Sequence, residues 1–185
     1  MAVAAIYGGS RNNGNSVALT EVVLDGVPAD AVRLDRYPMF VFQDQRHQPE
    51  GFGPLDASYA EILEQVLDCS IWVVASPVYW YGFPANMKAF IDGWSHVMRL
   101  SEWHFRRRMK GKRVYLVLTG GDNPRLKAMG LVTQFYWTTQ FMGMTLVDYV
   151  IGQGDKPSEV LSDEPAVAGA RRLNQLLRAD LEEQI

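Results

Sequence analysis

Gly8-Gly9-Ser10-Arg11-Asn12-Asn13-Gly14-Asn15-Ser16 follows a short apolar run at 2–7 and precedes a helix-like stretch at 17–24. A loop of small, hydroxyl and amide residues between a strand and a helix suits an anion. Glycines bring the backbone close, free N–H groups donate, and the helix N-terminus adds partial positive charge. Ser10, Asn15 and Ser16 add side-chain donors and Arg11 adds charge. No lysine completes a GxxxxGK[ST] loop, the glycines are not spaced as GxGxxG, and no cysteine offers a thiolate nucleophile. A phosphomonoester held without metal or thiol is the reading that remains. The same residues also suit an ordinary capped strand-to-helix turn.

Working outward, strand and helix patterns alternate. The run at 2–7 is continuously apolar, as expected of a parallel strand buried on both faces. Asn15 or Ser16 is expected to cap the first helix, and Gly26 with Pro28 to end it. Residues 31–34 form a weak second strand. The stretch 36–54 reads as a loop broken by Pro38, Pro49, Gly51, Gly53 and Pro54, long enough to suggest a functional segment or a covering lid. Tyr59, Ile62, Leu63, Val66 and Leu67 share one face of a second helix, and 71–75 is the next strand. Pro84 suits the first turn of a third helix carrying Met87, Phe90, Ile91 and Trp94. A strand at 114–118, a helix at 125–142 and a strand at 145–151 follow. Asp163 and Pro165 open a last helix with Ala166, Ala170, Leu173, Leu177 and Leu181 on one stripe.

The alternation predicts an α/β fold: one domain over 1–185, a five-stranded parallel sheet with helices on both faces. Ligands in such sheets bind outside the carboxyl ends of the strands, where strand order switches. Three loops leave those ends, 8–16, 76–83 and 119–124, and all are rich in Gly, hydroxyl, amide or aromatic residues.

Composition narrows the functions. With 185 residues, 48% hydrophobic and 21% charged, the chain suits a globular domain with a proper core. A net charge of −3 gives no general attraction to nucleic acid or to anionic membranes. No apolar run approaches the roughly 20 residues of a membrane span. No basic region precedes the first apolar run, which therefore reads as a strand rather than a leader. The single cysteine, Cys69, makes no internal disulfide, cluster or cysteine-based zinc site, and a reducing, cytoplasmic setting is expected.

The second loop, Ser76-Pro77-Val78-Tyr79-Trp80-Tyr81-Gly82-Phe83, places three aromatics in a row. They cannot all enter one core, so at least one is exposed, lies on a ligand or meets another subunit. A flavin ring is flat with one polar edge and needs an aromatic or aliphatic wall plus backbone donors; this loop offers both. The third loop, Thr119-Gly120-Gly121-Asp122-Asn123, brings two glycines to the end of a buried strand, where backbone donors would stabilise charge on a reduced ring. Together the loops suggest flavin mononucleotide, FMN.

The segments 10–16, 76–80, 87–92 (Met-Lys-Ala-Phe-Ile-Asp) and 120–123 resemble the NAD(P)H-dependent FMN reductases and quinone reductases of the flavodoxin-like superfamily. The resemblance spans nearly the whole chain, with the motifs in the family's order. It implies a flavodoxin-like three-layer sandwich and non-covalent FMN, with the phosphate on Ser10, Arg11, Asn13, Asn15 and Ser16. It implies a ring held by Pro77, Val78, Tyr79, Trp80 and Tyr81 on one side and Thr119, Gly120, Gly121 and Asp122 on another. It also implies a dimer or tetramer. A related branch carries a cysteine cluster for an iron–sulfur centre, and 37–53 contains none.

The expected activity is transfer of a hydride from NAD(P)H, through FMN, to a quinone, flavin or similar small acceptor in ping-pong order. No protein acid or base is assigned. A flavodoxin-type one-electron carrier and a non-enzymatic flavin-binding protein are the alternatives. Six cations between 106 and 113 read as a solvated connection, or as a contact for the 2′-phosphate of NADPH. His47 is expected on the surface, or facing substrate if its loop covers the flavin; Cys69 reads as a small buried apolar residue. Phe135, Tyr136, Trp137, Phe141, Met142 and Met144 wrap more than one helical face. They predict an isologous pairing of copies through helices around 84–97 and 125–142, with Trp94 and Trp103 joining the contact.

Overall fold

The computed structural model describes residues 2–183. Five strands form one sheet: β1 (Val3–Tyr7), β2 (Asp30–Arg33), β3 (Ile71–Pro77), β4 (Arg113–Gly120) and β5 (Thr145–Gln153). Every pairing is parallel and the order is β2-β1-β3-β4-β5. The order reverses between β1 and β3, which puts the switch point at the carboxyl end of β1.

Period-2 alternation along buried strands sends successive side chains to opposite faces, so each face needs its own helical layer. On one face, Val3, Ala5, Ile71, Val73, Tyr115 and Val117 pack against α1 (Asn15–Val23) and α7 (Glu164–Glu182). On the other, Ala4, Ile6, Trp72, Val74, Leu116 and Leu118 pack against α2 (Ala57–Leu67), α3 (Ala85–Val97) and α6 (Met129–Phe141). This is the expected flavodoxin-like three-layer sandwich. Two short helices, α4 (Phe105–Met109) and α5 (Pro124–Lys127), flank β4.

Several local expectations change. The second strand starts and stops one residue earlier than read, because Leu34 turns into a 3-10 helix. The helix expected at 125–142 is two helices that break at Ala128, a residue buried in the core. Neither Asn15 nor Ser16 caps α1: Gly14 holds the N-cap position without a side-chain bond. Asn15 instead accepts a hydrogen bond from the Val160 N–H at 3.1 Å, tying the start of α1 to the loop after β5.

The loop after β2 is no lid over the switch point. Phe40 stacks on Tyr59 with centroids 4.6 Å apart, Phe52 lies 4.8 Å from the His96 ring, and His96 Nε2 sits 2.8 Å from the Gly53 carbonyl. These contacts pin the loop to α2 and α3, and His47 stays exposed. Cys69 is buried and unpaired, as expected. Among the described residues no helix is long and apolar enough to cross a membrane.

The cation run 106–113 lies at the amino end of β4, one strand length (roughly 25 Å) from the carboxyl ends. Arg106 covers the Phe141 ring, Arg108 pairs with Asp68, and Arg113 pairs with Asp180. The run thus sits at the end of β4 away from the loops 8–16, 76–83 and 119–124. Lys112 is buried, its ammonium donating to the carbonyls of Leu67 and Cys69. Burial pulls its pKa down from 10.5 to about 8. The unfolded chain therefore holds more protons at this site between those two values, and the site's contribution to stability rises with pH across that window. Lys112→Met should remove about 2 kcal/mol of that rise, less than the full ~1.4 kcal/mol per pH unit because the amine is not fully shielded. Urea unfolding of both proteins at pH 8 and 10 measures it; parallel pH profiles would refute it.

Candidate functional site

The carboxyl ends of β1, β3, β4 and β5 surround a cavity of about 310 Å³. Ser10, Arg11, Asn15 and Ser16 line one side, and Pro77, Val78, Tyr79, Thr119, Gly120 and Gly121 line the other. Close packing explains the glycines. A Cβ on Gly9 would stand 3.1 Å from Pro77, and one on Gly120 would stand 3.3 Å from Pro124 and 3.5 Å from Val78. The loops are also laced together: Val78 N–H donates to the Thr119 carbonyl at 2.8 Å, and Gly154 N–H to the Gly120 carbonyl at 3.0 Å.

At the floor of this cavity α1 begins. Its first backbone bond runs from Ala18 N–H to the Gly14 carbonyl at 3.0 Å. The N–H groups of Asn15, Ser16 and Val17 precede that bond and have no backbone acceptor among the described residues. Three outward N–H groups, a helix dipole, two hydroxyls and a guanidinium make a donor set for a phosphate dianion.

A second space of about 410 Å³ adjoins the first and shares Val78, Gly120, Gly121 and Asp155 with it. Trp80, Tyr81, Asp122, Pro124, Lys127 and Ala128 complete its walls. Trp80 and Tyr81 sit at the tip of a two-residue turn closed by paired bonds of 3.0 Å between Tyr79 and Gly82. Both have left-handed φ, 50° and 63°, a conformation that favours Asn-Gly and costs a bulky residue roughly 1–2 kcal/mol. The turn holds because Tyr81 Oη donates to Asp122 Oδ2 at 2.9 Å, and Lys127 Nζ donates to the same oxygen at 2.6 Å. These bonds hold the Asp122 carboxyl below the usual carboxylate range, the Lys127 bond being the larger cause. Trp80 is 95% exposed, its indole spread at the mouth of the cleft.

This donor set and slot, at a switch point of this topology, fit a flat, phosphorylated cofactor such as flavin mononucleotide. The family model for NADPH-dependent FMN reductases matches residues 1–154. The chain belongs to that family. A curated relative, the putative NAD(P)H-dependent FMN-containing oxidoreductase YwqN of Bacillus subtilis (strain 168), is 39% identical over 181 residues, covering 97% of this chain and 99% of YwqN. The solved Trp repressor binding protein from Bacillus subtilis superimposes with a TM-score of 0.79 at 37% identity, over 92% of this chain and 99% of that one. An FMN-dependent NADH-azoreductase from Bacillus anthracis, solved with FMN, shares the fold at a TM-score of 0.65 and 14% identity, over 96% of this chain and 99% of the other. The protein is an NAD(P)H-dependent flavin oxidoreductase with FMN as its cofactor.

The reductase brings most of the expected residues together. Ser10, Arg11, Asn15, Ser16, Pro77, Val78, Tyr79, Thr119, Gly120 and Gly121 border the cavity, while Trp80, Tyr81 and Asp122 border only the adjoining cleft. Asn13 borders neither and is exposed. Gly154 and Asp155, from the loop after β5, line the cavity although no expectation included them. The Asp155 carboxylate occupies the space above Gly121 where a side chain would otherwise project. Their one sequence signal is the Gly152-Gln153-Gly154 exit of the last strand.

The expected pairing surface is corrected in part. Trp94 is 3% exposed and packs inside its own chain against Trp72, Phe90 and Phe105. Trp103 is half-buried against the same core. On α6, Tyr136, Trp137 and Phe141 are exposed beside the edge strand β5, and there the apolar excess remains unburied.

Proposed function

We propose that this reductase moves a hydride from NAD(P)H, by way of bound FMN, to a quinone, a free flavin or a similar small acceptor in ping-pong order. The observation that carries this reading is the continuity of the two spaces: the donor-lined cavity at the start of α1 opens into an aromatic-walled cleft that solvent reaches. A nicotinamide and then an acceptor can use that open side in turn.

The bound flavin supplies the two-electron chemistry. The residues of this chain bind, orient and shield. The Asn15, Ser16 and Val17 N–H groups, with the Ser10 and Ser16 hydroxyls and Arg11, would hold the phosphate. Asn15, anchored by Val160, keeps its Nδ2 available as a further donor. Pro77, Val78 and Tyr79 would form a wall for the flat ring, and Gly120 and Gly121, which line the same cavity, would let backbone N–H groups approach it. Trp80 and Tyr81 limit water on the open side. The reading places the protein in the cytoplasm. It pairs copies through the exposed face of α6, supported by Tyr136, Trp137 and Phe141.

Mixing FMN-loaded protein with NADPH or NADH without oxygen should bleach the visible flavin absorption, and a quinone added afterwards should restore it. No bleaching with either dinucleotide would defeat the reductase reading. Intersecting rather than parallel double-reciprocal lines would remove the ping-pong order. Light scattering on the same sample gives the number of copies.

A further inference from the structure

We propose that Lys127 and Asp122 set the reduction potential of the bound flavin in opposite directions, Lys127 favouring the reduced form and Asp122 opposing it. The proposal rests on the FMN reading above and deepens it. Lys127 has no place among the residues expected from the sequence.

The geometry begins with Asn123, whose left-handed φ of 44° turns the chain sharply at the end of the loop after β4. Pro124 then starts the one-turn helix α5. That turn carries Lys127 back toward Asp122, five positions earlier in the chain. Nζ lies 2.6 Å from Asp122 Oδ2 and 5.7 Å from the centroid of the Tyr81 ring. All three side chains line the cleft next to the phosphate cavity. The contact with Asp122 raises the Lys127 pKa and the contact with Lys127 lowers that of Asp122, so both groups remain charged at neutral pH.

The chemistry supplies the sign. Two electrons and one proton leave NAD(P)H together as hydride, and the dinucleotide departs as NAD(P)+. The flavin gains one negative charge unless it also takes a proton from water. A fixed cation in the cleft wall stabilises that added charge, and a fixed anion destabilises it. Lys127 and Asp122 are 41% and 65% exposed, so solvent and salt screen both effects. Tyr81 Oη donates to the same carboxylate oxygen, which spreads the Asp122 charge and keeps the pair fixed at the rim. If the triad served only to brace the strained Trp80–Tyr81 turn, removing either charge would loosen the cleft in the same way. Only an electrostatic role predicts shifts of opposite sign.

The test is a redox titration of the FMN-loaded protein, with FMN dissociation constants measured for the oxidised and reduced states. Lys127→Met should weaken binding of reduced relative to oxidised flavin about tenfold, which is about 30 mV downward for a two-electron couple. Asp122→Asn keeps the side chain's shape and should move the ratio upward by about fivefold. Lys127→Arg should keep the wild-type value, and salt near ~1 M should shrink both shifts. Opposite shifts of twofold or more support the proposal. Shifts of one sign, or less than twofold in either variant, overturn it. A wild-type protein that binds no FMN removes the reading underneath; one whose potential ignores both substitutions removes this proposal alone.

Discussion

Gly93→Ala should lower the stability of this protein by about 2–4 kcal/mol, against the direction that helix propensity alone dictates. Replacing glycine by alanine inside a helix ordinarily stabilises by roughly 1 kcal/mol. Gly93 is buried within α3, and the Tyr59 ring lies directly on it. A Cβ there would stand 2.5 Å from Tyr59 Oη and 2.9 Å from Cε2. The ring has nowhere to retreat. It is 2% exposed, stacked on Phe40, and its hydroxyl donates to the Phe90 carbonyl at 2.6 Å. Insertion of the methyl group displaces the ring and breaks a buried hydrogen bond. Thermal unfolding should show a fall in Tm of about 5–12 °C for a chain of this size. A Tm equal to or above wild type would disprove the packing argument. Tyr59→Leu combined with Gly93→Ala should be less destabilised than the sum of the single changes, because both act on one contact.

Ser10→Asp should weaken FMN binding by about two to three orders of magnitude with little change in Tm. Ser10 is exposed at the mouth of the phosphate cavity, so the fold tolerates the new carboxylate. That carboxylate would face a phosphate dianion across a few ångströms. Two like charges about 4 Å apart near a protein surface repel by roughly 4 kcal/mol, reduced in practice by salt and side-chain movement. Titration of apo-protein with FMN, followed by fluorescence quenching, reads the loss. Unchanged affinity would move the phosphate away from the start of α1. Ser10→Ala is the control, since it removes one donor without adding charge and should cost no more than about tenfold.

The architecture was legible because of how parallel sheets are buried. Strands covered on both faces must be apolar throughout, so 2–7, 71–75 and 114–118 stand out as continuous runs between amphipathic helices. The loops after β1, β3 and β4 carried residue types that announce a flat, phosphorylated ligand. The loop after β5 did not: Gly154 and Asp155 have no such signature, and they join the site because β5 pairs with β4 and Gly154 bonds to Gly120. Asn13 lines neither space, although an amide inside a donor-rich loop looks useful whichever way it points. Asn15 was read as a cap because its local spacing suits one. A backbone N–H at Val160, 145 positions away, claims its side chain instead.

By itself, the sequence determined the class of sheet, the edge at which the three glycine-bearing loops gather and the donor-rich character of 8–16. These follow from local composition and short-range periodicity. Tertiary structure alone decided which of the crowded aromatics face inward, burying Trp94 while leaving Trp80 and Trp137 in solvent. It carried the cations of 106–113 to the far end of β4 and brought Lys127 to the cleft. The physical reason is that direction and distance are not local quantities. A strand separates its two ends by its full length, and a one-turn helix can reverse a side chain toward a site that its neighbours in sequence have already left.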